Sequence, residues 1–232
     1  HKAKQFIIGV LFGLMAIFAT TTFGGFDVGD GTIMNVRDAA PLCAGLIFGA
    51  PAGIIAGFIG GIYRFVAVYF GLAGTYTQIA CSVSTILAGF IGAILRKYMF
   101  DDKKPTWLYG VGIGMVTEVF HMLMIFFTNM KDTVNAFEFV KICTLPMVIG
   151  NGLAVGIAVF LVSVISREKF NFKKEQKQIS QTFQSWLLIC IVIAFAATSS
   201  FSSVLQTGMS EVQTNKTIEM SLSDVYQDIL DE

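Results

Sequence analysis

The chain has 232 residues, of which 54% are hydrophobic and 14% charged, about half the charged fraction of a soluble domain. Its net charge of zero leaves no basic excess to neutralise phosphates, which removes nucleic acid as a partner held by bulk electrostatics. With 23 Gly, 22 Phe and only 4 Pro, the composition fits an all-α integral membrane protein of five to six transmembrane helices packed closely in lipid.

Long apolar runs mark the spans in chain order. They cover residues 6–23, 39–63, 79–95, 107–127, 142–165 and 186–205, each long enough to cross a core of about 30 Å at 1.5 Å per residue. The first run exceeds a signal-peptide core and has no small-x-small cleavage site, so it is expected to be retained. Residues 24–38 are dense in Gly and Asp and predict a loop. The connector 96–105 carries Arg96, Lys97, Lys103 and Lys104. The connector 167–177 carries Arg167, Lys169, Lys173, Lys174 and Lys177. Both connectors are expected on the cytoplasmic face, and the acidic tail 206–232 outside. In that tail Leu222, Val225, Tyr226, Ile229 and Leu230 trace an amphipathic helical stripe, which reads as the start of an external region cut from a longer protein.

The cysteines point to no framework. Cys43, Cys81, Cys143 and Cys190 all lie in apolar stretches with no C-x-x-C pair, so neither a disulfide network nor a zinc site is expected, and no metal or cofactor. Cys43, Cys143 and Cys190 read as small buried apolar residues.

Two readings compete over the second run. Gly45, Gly49, Gly53, Gly57 and Gly61 recur every four residues, a smooth stripe suited to one continuous helix. Gly49-Ala50-Pro51 instead offers a place to turn, which makes the run a re-entrant hairpin. The choice matters because Arg37 and Arg64 flank the run. Arginines at span ends commonly snorkel to headgroups, yet two guanidinium forks that meet make an anion clamp. In the fourth run Glu118 and His121 stand three residues apart on one helix face. A charged residue there costs on the order of 2.5–3.5 kcal/mol to insert, so the pair is either functional or a packing contact. Lys141 reads as a snorkelling anchor and Asn151 as an interhelical hydrogen bond.

The block from Asn35-Val36-Arg37-Asp38 through Gly49-Ala50-Pro51 to Gly61-Ile62-Tyr63-Arg64 resembles the membrane receptor domain of LytS-type bacterial sensors, a five-transmembrane receptor family. So does Cys81-Ser82-Val83-Ser84, and more weakly Glu118 with His121 and Leu145-Pro146-Met147 with Asn151. The resemblance runs over roughly residues 6–167. It implies a receptor in the bacterial plasma membrane that senses a small carboxylate such as pyruvate, with Arg37, Arg64, Cys81 and Ser84 as ligand-binding residues. The stretch from Phe65 to Ala80 is several residues longer than the family's usual link. A continuous helix would hold Arg37 and Arg64 about 40 Å apart, so a shared ligand favours the hairpin.

The expected organisation is a sensing domain (1–167), a basic cytoplasmic linker (168–185), an additional transmembrane helix (186–205) and an external helical start (206–232). The expected partners are a small anionic ligand, the bilayer, and a second copy through the full-length protein. The competing function is the substrate-binding subunit of an energy-coupling-factor-type importer. An enzyme is not expected: H-E-x-x-H, G-x-S-x-G and Walker motifs are all missing from the sequence.

Overall fold

Gly49 decides the path of the second apolar run. In the computed structural model, which describes residues 2–21, 25–27 and 33–166 together with 187, 191, 214 and 216–222, its φ is 104°, in a region that L side chains rarely adopt. The chain therefore reverses there. Helix α2 occupies Ala39–Cys43 and continues as a π-helical turn over Ala44–Phe48. Helix α3 returns over Ala50–Ala67, followed by a 3-10 turn, Val68–Phe70. Pro51 stands in the first turn of α3, where its missing N–H breaks no helical hydrogen bond.

The reversal leaves the last carbonyls of the α2 arm without intrahelical partners, and two distant side chains satisfy them. Gln5 Nε2 donates to the Phe48 carbonyl at 2.8 Å. Arg96 Nη1 donates to the carbonyls of Leu46, at 3.1 Å, and Ile47. Helix ends buried in protein need such partners. Arg96 therefore belongs to the last turn of a helix, and the connector that sequence placed from residue 96 begins only after Tyr98.

The remaining helices are α1 (Lys2–Thr20), α4 (Gln78–Tyr98), α5 (Trp107–Thr128) and α6 (Thr133–Ile165). Among the described residues five helices are long and apolar enough to cross a membrane, α3 being counted through Phe70 and α6 from Met130; the α2 arm is a shorter apolar piece. The expected loop 24–38 contains two short strands, β1 (Gly25–Asp27) and β2 (Ile33–Asn35), paired antiparallel with Phe26 opposite Met34. Helix α6 begins nine residues earlier than the apolar run predicted. Asp132 caps its N-terminus by accepting from the Asn135 amide.

The glycine stripe does what a packing stripe should, although the helix carrying it is interrupted. A Cβ on Gly53 would fall 2.7 Å from the Gly89 carbonyl oxygen, and one on Gly61 would fall 2.7 Å from that of Ser82. Paired numbers that run in opposite directions make α3 and α4 antiparallel. On its other face α3 meets α1, with Gly9 against Ile55 and Gly13 against Ile59, so these two run parallel. Helices α5 and α6 form an antiparallel pair through Gly114 against Gly152. The outcome is a bundle in which the starts of α2, α4 and α6 and the ends of α1, α3 and α5 share one end with the β-hairpin.

The chain divides into two compact units, His1–Val192 and Ile193–Glu232. In the second, residues 216–222 are helical and exposed. The predicted linker and sixth span lie outside the described residues except at 187 and 191, and so does the amphipathic stripe beyond Leu222.

Candidate functional site

At the hairpin end of the bundle, three helices and one loop bring six ionisable or nucleophilic side chains together. Arg37 and Asp38 precede α2, Arg64 ends α3, Cys81 begins α4, and Glu118 and His121 lie in the second half of α5. Arg37, Glu118 and His121 are each 1% exposed, and Arg64 is 4% exposed. Arginines that snorkel to headgroups would not be buried to this extent, so that reading fails for both.

Asp38 is the hub. Its Oδ1 receives Arg37 Nε at 3.3 Å and the Thr85 hydroxyl at 2.6 Å. Its Oδ2 receives the Ser84 hydroxyl at 2.8 Å and faces His121 Nδ1 at 3.1 Å. Ser84 and Thr85 are adjacent on α4, three and four residues beyond Cys81, the spacing that turns neighbouring side chains toward one helix face. Thr85 Oγ1 also accepts from Arg37 Nε at 2.7 Å. The sequence had Ser84 lining a ligand pocket; in the structure its hydroxyl is engaged by Asp38.

Each arginine keeps one nitrogen unused. Arg37 Nη2 donates to the Cys81 carbonyl at 3.4 Å. Arg64 Nη2 donates to the Gly74 carbonyl at 3.1 Å and to Thr77 Oγ1 at 2.9 Å. The long link between α3 and α4 thus reaches the site and orients the second arginine. Arg37 Nη1 and Arg64 Nη1 have no hydrogen-bond partner among the described residues, although both atoms are buried. Cys81 lies near enough to both guanidiniums to interact with them electrostatically. The reversal at Gly49 is what brings Arg37 and Arg64 to the same end of the bundle.

Behind the sulfur lies the intramembrane pair. His121 Nε2 is 3.2 Å from Cys81 Sγ, and His121 Nδ1 is 2.9 Å from Glu118 Oε1. Glu118 Oε2 has no partner among the described residues. Asp38, Glu118 and His121 place donor atoms within 4.8 Å of one another, a spacing that could hold a cation. Arg37, Ser84 and Thr85 already engage Asp38, so a cation there would compete with three existing bonds. Asn151 binds β2 rather than another helix: its Nδ2 donates to the Asn35 carbonyl at 3.5 Å and to Met147 O at 3.1 Å. Asn35 Oδ1 in turn accepts the Arg37 amide at 3.2 Å. Cys43 and Cys143 are buried in apolar clusters, as expected.

Sequence reasoning missed Thr77 and Thr85, and did not single out Asp38 as the hub. Thr85 was findable at four residues from Cys81. Thr77 was not, because its role depends on how a loop folds.

Five helices long and apolar enough to cross a membrane, with a buried polar cluster at one end, are the features of a multi-pass membrane protein, and the family model described as 5TMR of 5TMR-LYT matches residues 1–165. The chain belongs to this family of plasma-membrane sensor domains. It is 31% identical to the sensor histidine kinase YpdA of Escherichia coli K12 over 170 residues, 73% of this chain and 28% of that protein. Similarity to the sensor protein LytS of Staphylococcus saprophyticus is 28% identity over 78% of this chain and 31% of that protein. With the sensor histidine kinase BtsS of Escherichia coli K12 it is 24% over 99% of this chain and 36% of that protein. The chain spans about a third of the length of these relatives. No solved structure matches.

Proposed function

We propose that this domain binds a small carboxylate, pyruvate-like in size, between Arg37 and Arg64 in an outward-facing pocket. It then passes the signal to parts of the protein beyond this chain. The observation that carries the reading is the pair of buried Nη1 atoms without hydrogen-bond partners among the described residues, on two arginines that both lie near Cys81. Two unmatched guanidinium donors are costly to bury, and a carboxylate relieves both the mutual repulsion and the unmet hydrogen bonds.

Orientation follows from the basic connectors. Lys97, Lys103 and Lys104 lie at the bundle end opposite the site, which puts the site on the external side by the positive-inside rule. The relatives named as sensor histidine kinases suggest a kinase output in the full-length protein, working as a homodimer. Catalysis then belongs to that output and not to this domain. Membership of a sensor family favours this reading over an importer subunit. Titration calorimetry of the detergent-solubilised protein with acetate, propionate, lactate and pyruvate, against uncharged amides of the same size, tests it. Binding of the acids alone is expected; equal binding of amides would remove the anion clamp.

A further inference from the structure

We propose that Cys81 and His121 form a nucleophilic pair that adds reversibly to the carbonyl carbon of a 2-oxo acid, holding the ligand as a thiohemiketal. The inference rests on the carboxylate reading above and adds a covalent bond to it.

Among the described residues Cys43 and Cys143 sit in apolar clusters, whereas Cys81 Sγ has an imidazole nitrogen at 3.2 Å. His121 Nδ1 is placed between two carboxyl groups, Asp38 Oδ2 at 3.1 Å and Glu118 Oε1 at 2.9 Å. Both accept, so the ring proton belongs on Nδ1, and Nε2 turns its lone pair toward the thiol. This is the arrangement of a nucleophile, a base and a group that orients the base. A cysteine serving only as filler has no need of such surroundings, since cationic neighbours are what favour a reactive sulfur.

The arginines supply the second half. A carboxylate bridging Arg37 Nη1 and Arg64 Nη1 would set the ligand's next carbon toward the sulfur, because both guanidiniums lie near Cys81. In a 2-oxo acid that carbon is the electrophile. His121 Nε2 takes the thiol proton, and the sulfur lone pair forms the S–C2 bond. The C=O π pair moves onto oxygen, which takes the proton back from His121. The product is a tertiary alcohol with no change in oxidation state, and the reverse step returns thiol and ketone. No oxidant or co-reactant enters.

The bond gives the receptor a discrimination that a clamp lacks. Pyruvate and lactate have the same charge and nearly the same size, so two arginines alone hold them about equally. Only the oxo acid can bond to sulfur.

The test is a carbon-13 NMR spectrum of [2-13C]pyruvate with the solubilised protein, beside calorimetry with pyruvate and lactate. The expected result is a bound C2 resonance in the tetrahedral range and a preference for pyruvate over lactate of about tenfold or more, equivalent to ~1.4 kcal/mol. In Cys81→Ala that preference collapses, and His121→Gln weakens it without removing either arginine. If pyruvate binds with C2 still in the ketone range and lactate binds equally well, the covalent step is overturned while the carboxylate clamp stands. If neither acid binds, both are overturned.

Discussion

Asp38 Oδ2 and His121 Nδ1 lie 3.1 Å apart, tying the residue that opens the re-entrant arm to the second half of α5. Ser84 and Thr85 of α4 bind the same carboxylate, so one buried group fastens three elements.

Replacing that hub should be costly. Asp38→Asn keeps the shape but leaves Arg37 and His121 without their shared acceptor charge, and breaking a buried pair on one side costs about 3–5 kcal/mol. Thermal unfolding in detergent should show a large drop in midpoint, whereas Ser84→Ala, which removes a single hydroxyl donor, should cost about 1 kcal/mol. Equal effects would mean that the carboxylate is not the junction.

The turn at Gly49 makes a second, independent claim. With φ at 104°, Gly49→Ala forces an L side chain into a disfavoured region, while Ala52→Gly, three residues on in α3, only loosens a regular helix. The first should cost more than the roughly 1 kcal/mol expected of the second. Comparison of the two midpoints checks the hairpin, because on a continuous helix the ranking would reverse.

Topology is open to chemical labelling. Leu72, exposed in the link between α3 and α4, lies at the site end, and Asp102 lies at the other. A cysteine at position 72 should react with an impermeant maleimide added to intact cells, and one at 102 should not. The opposite pattern would turn the receptor over.

Glu118 and His121 test whether the intramembrane pair serves signalling or packing. Glu118→Gln retains a hydrogen-bond acceptor for His121 Nδ1 but removes an ionisable carboxyl from the cluster. The pH profile of the ligand response is expected to move, with a smaller loss of thermal stability than in Asp38→Asn. An unchanged profile with a large loss of stability would make the pair a packing contact.

Much of this architecture could be read from residue patterns, and the exceptions have physical causes. Long apolar runs and basic connectors located every crossing helix among the described residues, because lipid imposes length and hydropathy on a span. The glycine stripe correctly indicated close packing against a neighbour but could not reveal the break at Gly49, since a four-residue period persists through a reversal that keeps both arms against α4. Arg96 looked like an ordinary cytoplasmic charge; its task of capping Leu46 and Ile47 exists only once the arm has ended there. Family likeness put Arg37, Arg64, Cys81 and Ser84 forward as candidates. The hydrogen bond from Ser84 to Asp38 was not legible in the sequence, because a hydroxyl takes whichever partner folding puts nearest.

The central claim is that two buried arginines hold one carboxylate. Calorimetry with pyruvate on the wild-type protein, Arg37→Ala and Arg64→Ala tests it most directly. Loss of either guanidinium should cost about 2–5 kcal/mol, thirtyfold or more in affinity, as removal of a buried charged partner does. Circular dichroism on each variant confirms that the helices persist. Affinities equal to wild type in both folded variants would contradict the account.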